Sequence, residues 1–172
     1  HYDLDDARGH DDRRIPRRVR LGEPADAPRA AAAWVRRTPE AMAEETLAGF
    51  PLRFEWALDD LRALDSPRPV LAEGWGLRPE LVAPLLDSMR RMVVLVATEA
   101  FREHQLRTLP RAGVFSRAAE VSDPARAQAN RIARDRLVEE AAADAASACG
   151  IRVIEVDGSR DAEGVADLVA EH

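Results

Sequence analysis

The chain has 172 residues, 46% hydrophobic, 33% charged and 5% aromatic, which is the length of one ordinary domain around a single core. Nine glycines, eleven prolines and one cysteine exclude collagen-like, disulfide-scaffold and low-complexity classes. A net charge of −6 argues against a general nucleic-acid binder, because such domains are usually basic.

In chain order, Tyr2-Asp3-Leu4-Asp5 reads as the tail of a strand that ends in acids, followed by a polar, arginine-rich stretch to about Pro28. Thr38-Pro39-Glu40 has the form of an N-cap, a first-turn proline and an early acid. That helix is expected to close near Gly49, with Pro51 as punctuation. A second helix then carries Phe54, Ala57, Leu58, Leu61 and Leu64 on one face. Val70–Gly74 is too short for a helix and predicts a short strand. Met92–Ala97 is a continuous β-branched and aliphatic run that suits a strand buried on both faces. Thr98 caps a helix to about Leu109, and Ser122-Asp123-Pro124 opens a longer one that stops before Gly150. Ile151–Val156 is the last strand, and Asp161 begins the closing helix. Strands separated by helices of about 10–25 residues predict parallel βαβ units, hence an α/β domain whose site lies at the carboxyl ends of the strands.

The residues just after each strand are therefore the informative ones: Asp3 and Asp5, Glu73-Gly74, Thr98-Glu99 and Asp157-Gly158-Ser159. Acids aimed into one crevice suit a magnesium–nucleotide site, since magnesium takes oxygen ligands from one or two carboxylates plus substrate phosphates. Taken singly, each acid is equally a helix cap or a solvated loop residue. Histidines are scattered and the lone Cys149 has no metal-ligand spacing around it, so no zinc site is expected. No Gly-x-Ser-x-Gly elbow is present.

These residues resemble a known superfamily. Val153–Ser159, followed by Val165 in a helix, looks like the close of P-loop nucleoside and nucleotide kinases such as thymidylate kinase, where the loop after the last strand lies against the adenine of ATP. Pro69–Gly74, followed by Leu77-Arg78-Pro79, looks like the third strand of those kinases. Tyr2-Asp3-Leu4-Asp5 resembles the Asp-x-Asp that ends strand two in shikimate-kinase-like enzymes and chloramphenicol phosphotransferase. The resemblance implies a three-layer α/β domain spanning 1–172, with a helical acceptor-side insertion at 8–68 and a lid-like region at 107–136. It also implies ATP and magnesium as cofactors, and a phosphoryl acceptor that is a small molecule or a nucleotide. Asp3 or Asp5 would handle the acceptor hydroxyl, Glu73 would organise magnesium, and Asp157, Gly158 and Ser159 would form the adenine-side loop. Arg107, with Arg131 or Arg134, would neutralise the transferring phosphate, a task suited to guanidinium.

The departure from the family is plain. All 25 basic residues are arginine, so the defining Gly-x-x-x-x-Gly-Lys-Ser/Thr loop is absent from these residues. In such folds the first strand lies between strands three and four, and a sheet without it would leave backbone unpaired on both sides. A chain opening at His1 is accordingly expected to be missing its first strand and phosphate loop, or to receive that strand from a partner. By itself it is not expected to be a competent kinase. The alternative is a degenerate kinase-like module that binds a nucleotide or a protein without turnover.

Other readings are blander. Arg131–Asp135 and Arg136–Glu140 are i,i+4 pairs of an ordinary solvated helix. The cluster Arg13, Arg14, Arg17, Arg18 and Arg20 lacks interleaved aromatics, so no nucleic-acid partner is expected. His10 and His104 read as surface residues. Trp34, Trp56 and Trp75 read as packing, although Trp75 directly follows Glu73-Gly74 and could wall a substrate pocket. No apolar run is long enough to span a membrane, so neither a membrane partner nor secretion is signalled, and a cytoplasmic setting is expected.

Overall fold

The computed structural model describes residues 1–4, 28–109, 112 and 114–172. Tyr2–Asp3 forms β1 and pairs in parallel with β2, Ala72–Glu73, so that Asp3 lies opposite Glu73. Val93–Ala97 forms β3 and pairs in parallel with β4, Arg152–Val156. The two pairs are separate two-stranded sheets, and no backbone ladder joins β2 to β3 among the described residues.

The helices are α1 (Pro28–Arg36), α2 (Pro39–Ala63), α3 (Pro79–Val82), α4 (Glu99–Thr108), α5 (Pro124–Ala148) and α6 (Ala162–Ala170). Their starts follow from side-chain caps, each accepting a hydrogen bond from a first-turn amide. Thr38 accepts from Ala41, Thr98 from Phe101, Asp123 from Arg126 and Asp161 from Gly164. Such a cap satisfies one of the amides that a helix start leaves without a partner. The α5 helix ends where Gly150 takes a φ of +70°, a conformation open to glycine at little cost.

Three expectations change. The break at Gly49 and Pro51 does not occur, and α2 runs through both as one helix of 25 residues. An interior proline costs about 3 kcal/mol, but Met42, Ala43, Phe50, Phe54 and Ala57 are buried along this helix. Burying each large side chain contributes about 1.5–3 kcal/mol, enough to hold the helix through the proline. The β3 strand is not covered on both faces, since Leu95 is 47% exposed. Among the described residues β4 is its only sheet neighbour. Finally, α1 forms in a region where no helix is expected.

The main core cluster is Ala43 and Phe50 of α2 with Val138 of α5, joined by Leu47, Leu81 and Leu137. Arg78 is buried beside it, donating to the Val138 carbonyl at 3.1 Å and to Glu80 at 3.1 Å, with its guanidinium over the Phe50 ring. This arginine ties the turn after β2 to the middle of α5. At the far end Trp34 of α1 meets Phe115 edge-on at 5.6 Å, and Asn130 of α5 donates to the Trp34 carbonyl. The α5 helix thus carries α1, α2 and α3 along its length, and also packs on β3 and β4.

Candidate functional site

Register and local geometry bring Asp3 and Glu73 together. They are Cα partners at the carboxyl ends of β1 and β2, and the Glu73 carboxylate pairs with His1 Nε2. The chain then turns sharply. Gly74 has a φ of +132°, and the Leu77 amide donates back to the Gly74 carbonyl at 3.1 Å. Gly76 packs closely here, because a Cβ there would lie 2.6 Å from Leu4 Cδ2 and force the buried leucine to shift. Behind this turn, Arg53 of α2 donates to the Leu4 carbonyl at 3.1 Å. Asp5 lies outside the described residues, as do His10 and the arginine cluster at 13–20.

The loop after β4 is compact and self-capped. Asp157 Oδ1 accepts from the Ser159 amide at 2.9 Å and from its hydroxyl at 2.6 Å. Those bonds, the hydroxyl's first, hold the Asp157 carboxyl below its usual range, because they favour the charged form. Gly158, with φ +83°, sits against the Phe101 ring, where a Cβ would come within 2.6 Å. The loop is therefore seated on the first turn of α4.

The three arginines are not gathered at those carboxylates. Arg107 is 67% exposed and pairs with Glu103 at 3.8 Å. Eight residues beyond Glu99, it sits about 12 Å along the helix from the end of β3. Arg131 donates to Asp135 at 3.0 Å, to Gln128 at 3.1 Å and to the Ala112 carbonyl at 2.8 Å. Arg134 pairs with Asp135 at 2.8 Å and donates to the Thr46 hydroxyl at 3.4 Å. Its guanidinium also lies 4.9 Å from the Trp34 ring centroid and 5.8 Å from that of Trp75. Burial pushes the shared Asp135 carboxyl up, against the opposing pull of Arg134 and Arg131.

The Arg131–Asp135 pair forms as the i,i+4 spacing predicts, but it is half-buried, and the same carboxylate also takes Arg134. The spacing also pairs Arg136 with Glu140, whereas Arg136 reaches Glu99 on α4. Nothing in the spacing pointed to Glu139 and Arg102. Glu139 accepts from the Ala97 amide at 2.8 Å, Arg102 donates to the Ala97 carbonyl at 3.3 Å, and the two pair with each other at 2.5 Å.

Between α4 and α5, Arg102, Gln105, Arg131 and Asp135 border a cleft of about 100 Å³. Small-molecule sites usually offer about 300–1,000 Å³, so this cleft is too small for a nucleotide. Among the described residues no group of three or more His, Cys, Asp or Glu side chains is placed to hold a metal. Asp3 with Glu73 does suit magnesium, which needs only one or two carboxylates when phosphates and water complete its shell. These residues contain no lysine and so no Gly-x-x-x-x-Gly-Lys-Ser/Thr loop. No described helix is long and apolar enough to cross a membrane. No protein-family model, curated protein or solved structure matches this chain.

Proposed function

We propose that these residues form most of an ATP-dependent phosphotransferase of the P-loop kinase type, acting in the cytoplasm on a hydroxyl or phosphate acceptor. The observation that supports this reading is the strand pairing and the side to which each strand turns its backbone groups. In a parallel ladder the N–H and C=O of one residue point to one side, and the next residue's to the other. The Thr98 amide bonds the Val156 carbonyl, so Thr98, Val96 and Val94 face β4. Ala97, Leu95 and Val93 then face away from it. On β2, the Leu71 and Glu73 carbonyls accept from Tyr2 and Leu4 of the β1 segment, leaving Ala72 turned outward. Two parallel pairs, with no further strand on β2 or β3 among the described residues, match what a five-stranded parallel sheet would leave if its central strand were taken away.

The roles follow from position. Asp3 would orient the acceptor hydroxyl or take its hydrogen bond. Glu73 would hold magnesium through oxygen or through a bound water, and that ion would offset charge on the phosphates. Asp157, Gly158 and Ser159, seated on Phe101, would border the adenine. In the observed state Arg131 and Arg134 are committed to Asp135, so phosphate would have to compete with a carboxylate for them. That commitment favours a second reading, a kinase-like module that binds without turnover.

The deciding measurement is the intact mass and N-terminal sequence of the protein from the cells that make it. An upstream Gly-x-x-x-x-Gly-Lys-Ser/Thr, with label passing from γ-labelled ATP to an acceptor and lost in Glu73→Gln, supports the first reading. ATP binding without transfer supports the second. A 19.0 kDa protein beginning at His1 overturns catalysis by this chain alone.

A further inference from the structure

No residue of α4 is buried, and of its ten residues only Ala100, Phe101 and Leu106 are apolar. A helix this short is marginal in water by itself, and in a protein it is ordinarily held by an apolar face. Here that face is thin. Phe101 rests against Gly158, while Leu106 borders the small cleft between α4 and α5. The ties from α4 to α5 are instead ionic. Glu99 meets Arg136, and Arg102 meets Glu139 at 2.5 Å. Arg102 Nε also lies 3.7 Å from Glu99 Oε2, so the four side chains run as Arg136–Glu99–Arg102–Glu139. Thr98 belongs to both strand and helix, because its amide bonds the Val156 carbonyl and its hydroxyl caps α4.

We propose that α4 is a hinged cover, closed onto α5 by this four-residue ionic latch and pivoting at Thr98. Glu99 and Arg136 are 54% and 41% exposed, whereas Arg102 and Glu139 are each 20% exposed. Salt therefore weakens the outer pair first, since exposed charges are screened more than partly buried ones. Opening uncovers Arg131 and Asp135 on the α5 side of the cleft. It also takes Arg102 from the Ala97 carbonyl, while Glu139, on α5, keeps the Ala97 amide. Because Phe101 seats Gly158, the loop Asp157–Ser159 loses its floor when α4 lifts. Giving that loop to a nucleotide rests on the function proposed above; the latch does not.

The test is amide hydrogen exchange of the full chain, followed residue by residue by NMR. In wild type the amides of α4 should exchange faster than those of α5, β3 and β4. Raising sodium chloride from about 0.02 M to about 0.5 M should speed α4 roughly threefold or more, with the other three elements unchanged. The Ala97 amide should stay protected, because its acceptor does not leave with α4. Arg136→Gln should speed α4 by a similar factor at low salt and flatten the salt response, whereas Arg136→Lys should keep most of the protection. Since α4 itself is unaltered in both variants, a change there reports the lost charge on α5. Unchanged α4 rates in Arg136→Gln, or no salt response in wild type, overturn the proposal. Acceleration of α4, α5 and β3 together overturns it as well, because α4 would then open only with the whole fold.

Discussion

The β3–β4 half and the β1–β2 half hold their strands by different means. β3 and β4 share five residue pairs in register, from Val93 with Arg152 to Ala97 with Val156. β1 and β2 share two, and backbone pairing over two residues is far too little to hold a sheet by itself. The β1–β2 pair is kept in place by side chains instead. Leu4 is buried against Gly76, Arg53 grips the Leu4 carbonyl, and the Tyr2 hydroxyl donates to Asp60 of α2 at 3.0 Å. One half is held mainly by its ladder, the other by its anchors.

The sharpest way to break that contrast is Leu4→Ala. Removing a fully buried leucine costs about 2–5 kcal/mol, and here it also removes the surface on which Gly76 rests. A urea titration should show a loss of about 3 kcal/mol. Hydrogen exchange should speed up first at Tyr2, Leu4 and Leu77, with the amides of β3 and β4 following only on global unfolding. Simultaneous loss in both halves at Leu4→Ala would mean that they fold as one cooperative unit.

Glu139→Ala probes the other side. Glu139 closes the outward-facing Ala97 amide and pairs with Arg102, so its removal leaves that amide without its acceptor and takes one of Arg102's partners, the Ala97 carbonyl and Glu99 remaining. Unsatisfied groups in partly buried positions cost about 1–3 kcal/mol. A loss of about 2 kcal/mol is expected, with faster exchange at Ala97 while the Thr98 amide, bonded to Val156, stays protected. If Thr98 opens as readily, the capped edge is not independent of the ladder.

A smaller effect, but one with a definite sign, comes from Asp135 between the two halves. Burial raises its folded pKa above the ordinary 3.8 despite Arg134 and Arg131. A raised folded pKa means that the group's stabilising contribution is complete below 3.8 and is lost as pH climbs through the raised value. Asp135→Asn does not titrate. The stability advantage of wild type over Asp135→Asn should therefore shrink between pH 3.5 and neutrality. Urea midpoints across that range check it. An advantage that grows with pH would show the two arginines outweighing burial.

Much of the ladder-held half was legible because its signals are local. The β-branched run before Thr98, the Asp123-Pro124 start and Gly150 each act within a few residues, and the caps and strands formed where those signals stood. The anchor-held half depends on contacts far apart in sequence. Tyr2 with Asp60, Arg53 with Leu4 and Arg78 with Val138 are 58, 49 and 60 residues apart, and no spacing rule announces them. Pro51 misled for the same reason, since its local penalty was read without the tertiary burial that offsets it. The rule that strand ends matter points to Asp3 and Glu73, which the β1–β2 register sets side by side. The arginine partners are only partly legible: Arg131–Asp135 follows the i,i+4 spacing, whereas Arg136 with Glu99 and the second cation on Asp135 do not.

The smallest expected effect lies in the loop after β4, which belongs to the ladder-held half but is built as locally as a helix cap. Both bonds to Asp157 Oδ1 come from Ser159, and the hydroxyl is the larger cause of the lowered pKa. A lowered folded pKa gives a contribution that is present above the ordinary 3.8 and lost as pH falls through the lowered value. Ser159→Ala deletes the hydroxyl and keeps the amide, so the Asp157 pKa should rise part of the way back while staying below 3.8. Carboxyl carbon shifts of Asp157 followed by NMR titration measure this directly. Because the carboxylate is exposed to solvent, stability should change little. A full return to the ordinary value would mean that the amide bond depends on the hydroxyl, and that Gly158 resting on Phe101 does not by itself hold the turn.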